Sequence, residues 1–268
     1  MDYKIRTLIA GWLYLGEKEP VHAWYIEGNG IKVLVDAGMP ESKIVEKRWK
    51  TKAEGGGEDA IINELKKHGV MPSEIDIVIL THMHFDHAWN LDLFPNAQII
   101  IQKEEVIHAI KPVPIQRSYY NKELNVKLIS RNQPKNLLII EGDYLLKDGL
   151  EIVFTPGHTP GSLSVIVNTE KGKVGLCSDL GPRYQNWFPA DSEISNNPKR
   201  FLEGSYLPNT IHTENVMNYI NTMEKFMKSV DIVIPAHDDR IPVHMPEQWW
   251  GKPSMSKDPL EVFALKEE

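Results

Sequence analysis

The stretch IDIVILTHMHFDHAWN, Ile75 to Asn90, runs an apolar segment directly into His82, His84, Asp86 and His87. A short run rich in Ile, Val and Leu reads as a buried strand. Histidine and aspartate are poor strand and helix-interior formers, so four of them within six residues need a reason beyond local structure. With 10 His and 14 Asp among 268 residues, H-x-H-x-D-H has a chance probability of roughly one in a thousand. A polar loop capping a strand explains this weakly, and metal binding explains it well. Six residues cannot complete a metal site, so other ligands must come from elsewhere in the chain.

Other strand ends deliver the same residue types. EIVFTPGHTPGS sets His158 in a Gly-Pro turn, KVGLCSD ends on Asp179, and DIVIPAHD brings His237. Strand ends along one edge of a sheet are where a rigid scaffold presents chemistry. Neutral imidazole with carboxylate is a zinc donor set, with manganese or iron as alternatives. Five imidazoles and two carboxylates exceed one tetrahedral ion and suit two that share a carboxylate.

The ordered set H-x-H-x-D-H, G-H-T-P-G, an isolated Asp and a late A-H-D resembles the motif order of the metallo-β-lactamase superfamily. VLVDAG at 33–38 resembles that family's early V-D-x-G segment, so the resemblance runs from Val33 to Asp238. It implies an α/β fold, a four-layer αββα sandwich of two mixed β-sheets with the metals at one edge. It also implies that His82, His84 and His158 hold a first divalent ion, that Asp86, His87 and His237 hold a second, and that Asp179 bridges them. Two such ions hold a hydroxide between them and lower its pKa. Asp86 would accept its proton and hand it to the leaving group. Asp36 is expected to orient a ligand imidazole or the His-rich loop by hydrogen bonds.

Within the superfamily the chain most resembles the N-acyl-homoserine lactonases, which implies opening of a homoserine-type lactone ring by the bridging hydroxide. That branch has a tyrosine a few residues beyond the bridging aspartate, which bonds the substrate carbonyl. Tyr184 in SDLGPRYQNWF is its counterpart, whereas Trp89 stands where the branch usually has Gly. The alternative is a thioesterase resembling hydroxyacylglutathione hydrolase, but after His237 only Arg240 and Lys252 stand in place of that family's basic cluster. Flavodiiron-type carriers have Glu at the position of His84. The tRNA-processing nucleases carry an arm that is not recognisable here. A non-catalytic module would have lost ligands, and all seven are present.

A formal net charge of −7 and a pI near 5.8 disfavour a nucleic-acid partner. The lone cysteine, Cys177, precludes an intrachain disulfide and fits a reducing, cytoplasmic setting. LIAGWLYL is short, lacks a cleavage site and is followed by GEKEP, so it reads as a strand. No run nears the ~20 apolar residues that span a bilayer. The expected partner is a small-molecule lactone or ester, with a homodimer compatible with the sequence.

One domain is expected over 1–268, with a lid insertion at about 103–136, where KPVPIQRSYYNKELNVKLISRNQP shows no clear period. Residues 39–59 read as a long loop. EDAIINELKKHG, KEEVIHAI and TENVMNYINTMEKFMKSV read as helices, the last with Val216, Tyr219, Ile220, Met223, Phe226 and Met227 on its apolar face, and a short helix is expected at the C-terminal end. Met39, Trp49, Tyr119, Tyr120, Tyr184, Trp187 and Phe188 are candidates to line an apolar pocket. His22, His68, His108, His212 and His244 fall outside the motifs and are expected on the surface or as satisfied core groups.

Overall fold

The computed structural model describes residues 3–130, 136–183, 186–187, 206, 208–239 and 241. A hairpin opens the chain: β1 (Lys4–Leu15) and β2 (Glu17–Gly28) pair antiparallel, with a bulge between Ile9 and Gly11. Next come β3 (Ile31–Val35), α1 (Ser42–Trp49), β4 (Ala53–Glu54), α2 (Gly57–Lys67) and β5 (Ile77–Ile79). The middle of the chain forms β6 (Gln98–Gln102), α3 (Lys103–Ile110), α4 (Lys122–Ser130) and β7 (Leu137–Ile140). The second half supplies β8 (Tyr144–Lys147), β9 (Leu150–Phe154), β10 (Leu163–Thr169), β11 (Gly172–Ser178), α5 (Val216–Ser229) and β12 (Ile232–Pro235).

Two mixed sheets result, one of seven strands in the order β4-β1-β2-β3-β5-β6-β7 and one of five in the order β12-β11-β10-β9-β8. Successive side chains on a strand point to opposite faces, and here both faces are covered. Val33, Val35, Ile79 and Ile100 join Ile152, Val165, Val174 and Leu176 in a core between the sheets. Their neighbours Leu34, Val78, Leu80, Ile99 and Ile101 face the other way, into a second core with Val45, Ile61, Leu65, Ala109, Leu124 and Leu128 from α1 to α4. Burial on both faces is why IDIVIL and QIII lack polar alternation. Tyr219, Met223 and Phe226 of α5 pack on the five-stranded sheet, where Gly175 leaves room for Phe226: a Cβ there would lie 2.7 Å from its ring. The fold is the expected αββα sandwich.

Three local expectations are corrected. Residues 39–59 hold α1 and β4; α1 buries only Val45, so it has no apolar stripe to read. Lys122–Ser130 is helical although its stretch shows no period, because only Leu124 and Leu128 are buried. With α3 and α4 inside it, the stretch from 103 to 136 forms the crossover between parallel neighbours β6 and β7, with 131–135 outside the described residues. On α5, Val216 is 49% exposed, since it sits in the first turn beyond the sheet. The tail expected to end in a short helix lies outside the described residues.

Candidate metal centre

The seven predicted ligands come together at one edge of the sandwich. His82, His84, Asp86 and His87 follow β5, His158 lies in the turn between β9 and β10, Asp179 follows β11, and His237 follows β12. Among the described residues, three groups have donor atoms close enough to hold a cation: His82 with His84 and His158, Asp86 with His87 and His237, and His82 with His87 and Asp179. The Asp179 carboxylate divides between the first two. Its Oδ2 is 3.3 Å from His158 Nε2, while its Oδ1 is 3.1 Å from His237 Nε2 and 3.5 Å from His87 Nε2. Asp86 Oδ2 lies 3.7 Å from both His87 Nε2 and His237 Nε2, and His84 Nδ1 lies 3.0 Å from His158 Nε2.

Donors ~2.0–2.1 Å from a tetrahedral ion stand about 3.3 Å from one another, and the observed spacings bracket that value. His82 Nε2, His87 Nε2 and Asp179 Oδ1 are buried without a hydrogen-bond partner. Unpaired buried polar atoms are costly, so their convergence fits a pair of cations.

The opposite edges of the rings are held. His158 Nδ1 donates to Ile211 O (2.6 Å) and His237 Nδ1 to Pro20 O (2.8 Å). His87 Nδ1 meets Asp36 Oδ2 at 2.8 Å, and His82 Nδ1 meets Thr81 Oγ1 at 3.1 Å. A hydrogen bond at Nδ1 leaves Nε2 to present its lone pair. Asp36 also accepts from Thr81 N (2.8 Å) and Thr81 Oγ1, which ties the β3 end to the β5 end. Its φ of 63° is unusual for a residue with a side chain, as is the φ of 47° at Ser178 next to Asp179. Strained backbone beside both carboxylates marks geometry imposed by the surroundings.

Electrostatics divide the site. Burial keeps His82, His84 and His158 below the ordinary imidazole range, hence neutral and ready to ligate. Burial acts the same way on His87 and His237, but neighbouring carboxylates outweigh it. Asp86, Asp36 and Asp179 raise His87 to about 9, and Asp179 above all raises His237 to about 10. Burial works against ionising Asp179, yet His237, His87 and His158 hold it well below the carboxylate range. A cation bound here would displace the protons that the neighbouring carboxylates favour on His87 and His237.

Sequence reading missed Glu105. This buried carboxylate on α3 accepts from Met83 N (2.8 Å), Tyr120 OH (2.7 Å) and Thr159 Oγ1 (2.5 Å). It thereby joins the H-x-H loop, the His158 turn and the residues before α4. Nearby, His108 Nε2 meets Gln116 Oε1 at 2.8 Å, and Gln116 Nε2 donates to His158 O. The available signal was a Glu on the same helix face as Ala109, four residues on. At Gly161 the turn touches backbone: an added Cβ would lie 2.0 Å from Glu105 N and 2.4 Å from its Cα. Gly161→Ala is therefore expected to destabilise the protein by about 1–3 kcal/mol or more, read as a fall of several degrees in Tm. An unchanged Tm would mean that α3 can move away freely.

Trp49, Tyr119 and Tyr120 line a cavity of about 770 Å³ that reaches His84, Asp86, His158, Asp179 and His237, together with Phe85, Leu13 and Ile211. Two other expected lining residues are core instead. Met39 is fully buried and fills the space over Gly11 and Gly56, and Trp187 is buried with its Nε1 donating to Gly181 O (2.8 Å). Tyr184, the expected partner of the substrate carbonyl, lies outside the described residues, as do Phe188 and His244. Trp89 packs edge-on against Trp49, ring centroids 6.1 Å apart. His22 is buried beside His237, and burial pushes it down to about 3.

The family model described as the metallo-beta-lactamase superfamily matches residues 16–237. An N-acyl homoserine lactonase of Bacillus cereus is 36% identical over 177 residues, covering 63% of this chain and 66% of that protein. The chain thus matches just under two thirds of that relative's length. A second N-acyl homoserine lactonase, from Azorhizobium caulinodans, is 26% identical over 234 residues, 87% of this chain and 79% of the other. The solved structure of an N-acyl homoserine lactone hydrolase with the product N-hexanoyl-L-homoserine at its catalytic metal center superposes with a TM-score of 0.66. It is 26% identical, and the match covers 89% of this chain and 95% of the other.

Proposed function

This chain belongs to the metallo-beta-lactamase superfamily, and from that premise we propose that it is a dinuclear metal-dependent hydrolase that opens a lactone ring of the homoserine type. The observation that carries the reading is the Asp179 carboxylate, with one oxygen toward His158 and the other toward His87 and His237. The lactonase relatives support the choice of lactone over thioester. His82, His84 and His158 would hold one ion, Asp86, His87 and His237 the other, and Asp179 both. Imidazole and carboxylate donors favour zinc, with manganese or iron next.

When bound, such a pair supplies Lewis acidity toward a carbonyl oxygen and acidifies water. The chain's own residues do the rest. Asp86 lines the cavity with its carboxylate 12% exposed, placed to take a proton and return it to the ring oxygen as it leaves. Phe85 and Trp49, stacked with centroids 3.9 Å apart, offer an apolar wall to the acyl group. Tyr184 would donate to the carbonyl oxygen. No described helix is long and apolar enough to cross a membrane, and buried Cys177 is compatible with the cytoplasm.

Protein purified without chelator is expected to carry close to two equivalents of divalent metal by elemental analysis. One equivalent that added metal does not raise would defeat the dinuclear proposal. The metal-loaded protein, tested on lactones, thioesters and phosphodiesters, is expected to turn over lactones fastest. Preference for a thioester would move the assignment to the hydroxyacylglutathione-hydrolase class.

A further inference from the structure

We infer that the substrate carries an oxyanion at the end of its tail, received by Arg48 and Arg117 on the wall of the catalytic cavity; this rests on the lactone-hydrolase reading above. Both residues line the cavity that holds His84, Asp86 and His237. Three carboxylates line the same space, and all are engaged. Asp86 and Asp179 face the histidines, while Glu19 accepts from Arg183 Nη2 at 2.6 Å, with Arg183 Nη1 3.0 Å from Glu17. Arg183 is thus neutralised within the protein.

Arg48 and Arg117 are not. Among the described residues, Arg48 has an amide partner only, Nη2 to Asn121 Oδ1 at 3.3 Å, and its guanidinium lies 4.9 Å over the Trp49 ring. Among the described residues, Arg117 makes no ion pair. Of the three arginines that line the cavity, only Arg183 is paired with carboxylates among the described residues.

The two arginines sit on segments fastened to each other. Trp49 Nε1 donates to Ser118 O at 2.6 Å, which links the end of α1 to the residue after Arg117, and Trp49 stacks on Phe85 between two metal-site residues. A guanidinium lying on an aromatic face keeps its N–H edge open for a planar oxyanion. The lining therefore combines apolar side chains with two guanidiniums, which suits an acyl or ring substituent ending in carboxylate or phosphate. A plain alkyl tail would use only the arginine stems.

The test titrates the metal-loaded, full-length protein with three ring-opened N-acyl homoserines of equal chain length, ending in methyl, carboxylate or phosphonate. Calorimetry is expected to show at least one charged tail binding about tenfold or more tighter than the methyl tail. The stronger of the two identifies the oxyanion. In the Arg48→Gln/Arg117→Gln double variant, and at high salt, the ratio of charged to methyl Kd should fall to about one. A purely structural role would weaken all three ligands in parallel. Equal or absent binding of the three by the wild type, or a preference that survives both substitutions, overturns the inference. Turnover of the corresponding lactones, measured alongside, tests the hydrolase reading separately, because the binding comparison needs no catalysis.

Discussion

Asp179→Ala is expected to lower lactone turnover by at least ~1000-fold, the several kcal/mol that two positioned cations contribute to charge stabilisation, and to reduce bound metal from two equivalents toward one. Among the described residues, Asp179 alone has one carboxylate oxygen 3.3 Å from His158 Nε2 and the other 3.1 Å from His237 Nε2. Its backbone carbonyl is pinned by the Tyr219 hydroxyl at 3.0 Å, so the loop cannot swing a substitute into place. Truncation also leaves two buried halves rich in imidazole without the negative charge between them. Asp179→Asn, which keeps the shape and one oxygen, should retain more metal than the alanine variant and still lose most of the activity. Two equivalents of metal and turnover within tenfold of wild type in Asp179→Ala would remove the bridge from the proposal.

Asp86→Asn separates ligation from proton transfer. The asparagine oxygen can still face His87 and His237, both 3.7 Å from Asp86 Oδ2 in the native protein, so most of the metal should stay. An amide cannot accept and return a proton near neutral pH, and the loss of general acid–base assistance is expected to cost about 10²–10⁴ in kcat. The pairing of retained metal with lost turnover is the diagnostic result. Near-normal kcat in the metal-replete variant at neutral pH would show that another group carries the proton. Metal loss in proportion to activity would make Asp86 a ligand only.

Buried strands were legible because a doubly covered strand is nearly all apolar, as in IDIVIL, and is bounded by turn formers, while the αββα layering was implied by the motif resemblance. It missed α1 and α4 because each buries one or two residues. A short helix with so little buried face has no readable period. It missed β8 because that edge strand leaves Tyr144 37% and Leu145 62% exposed.

At the site, the candidate ligands were legible one by one. Histidine and aspartate placed just beyond apolar strands are expensive unless they bind something, and that expense is local, visible in a few neighbouring residues. Asp36 was legible as a partner, though not which imidazole it meets, His87 across 51 residues. The backbone partners were not legible, because they lie far away in the chain: His158 finds Ile211 O across 53 residues and His237 finds Pro20 O across 217. Glu105 looks like any helical glutamate until the fold buries it under Met83, Tyr120 and Thr159. Arg48 and Arg117 are exposed charges, and only the link from Trp49 to Ser118 shows that their segments share one cavity. The sequence by itself determined which residues can hold metal and that the strands lie buried. The tertiary structure decided which donor atoms converge, which groups hold the imidazole rings and which arginines line the cavity, since hydrogen bonding, burial and Coulomb interactions act over ångströms in space and not over positions in a chain.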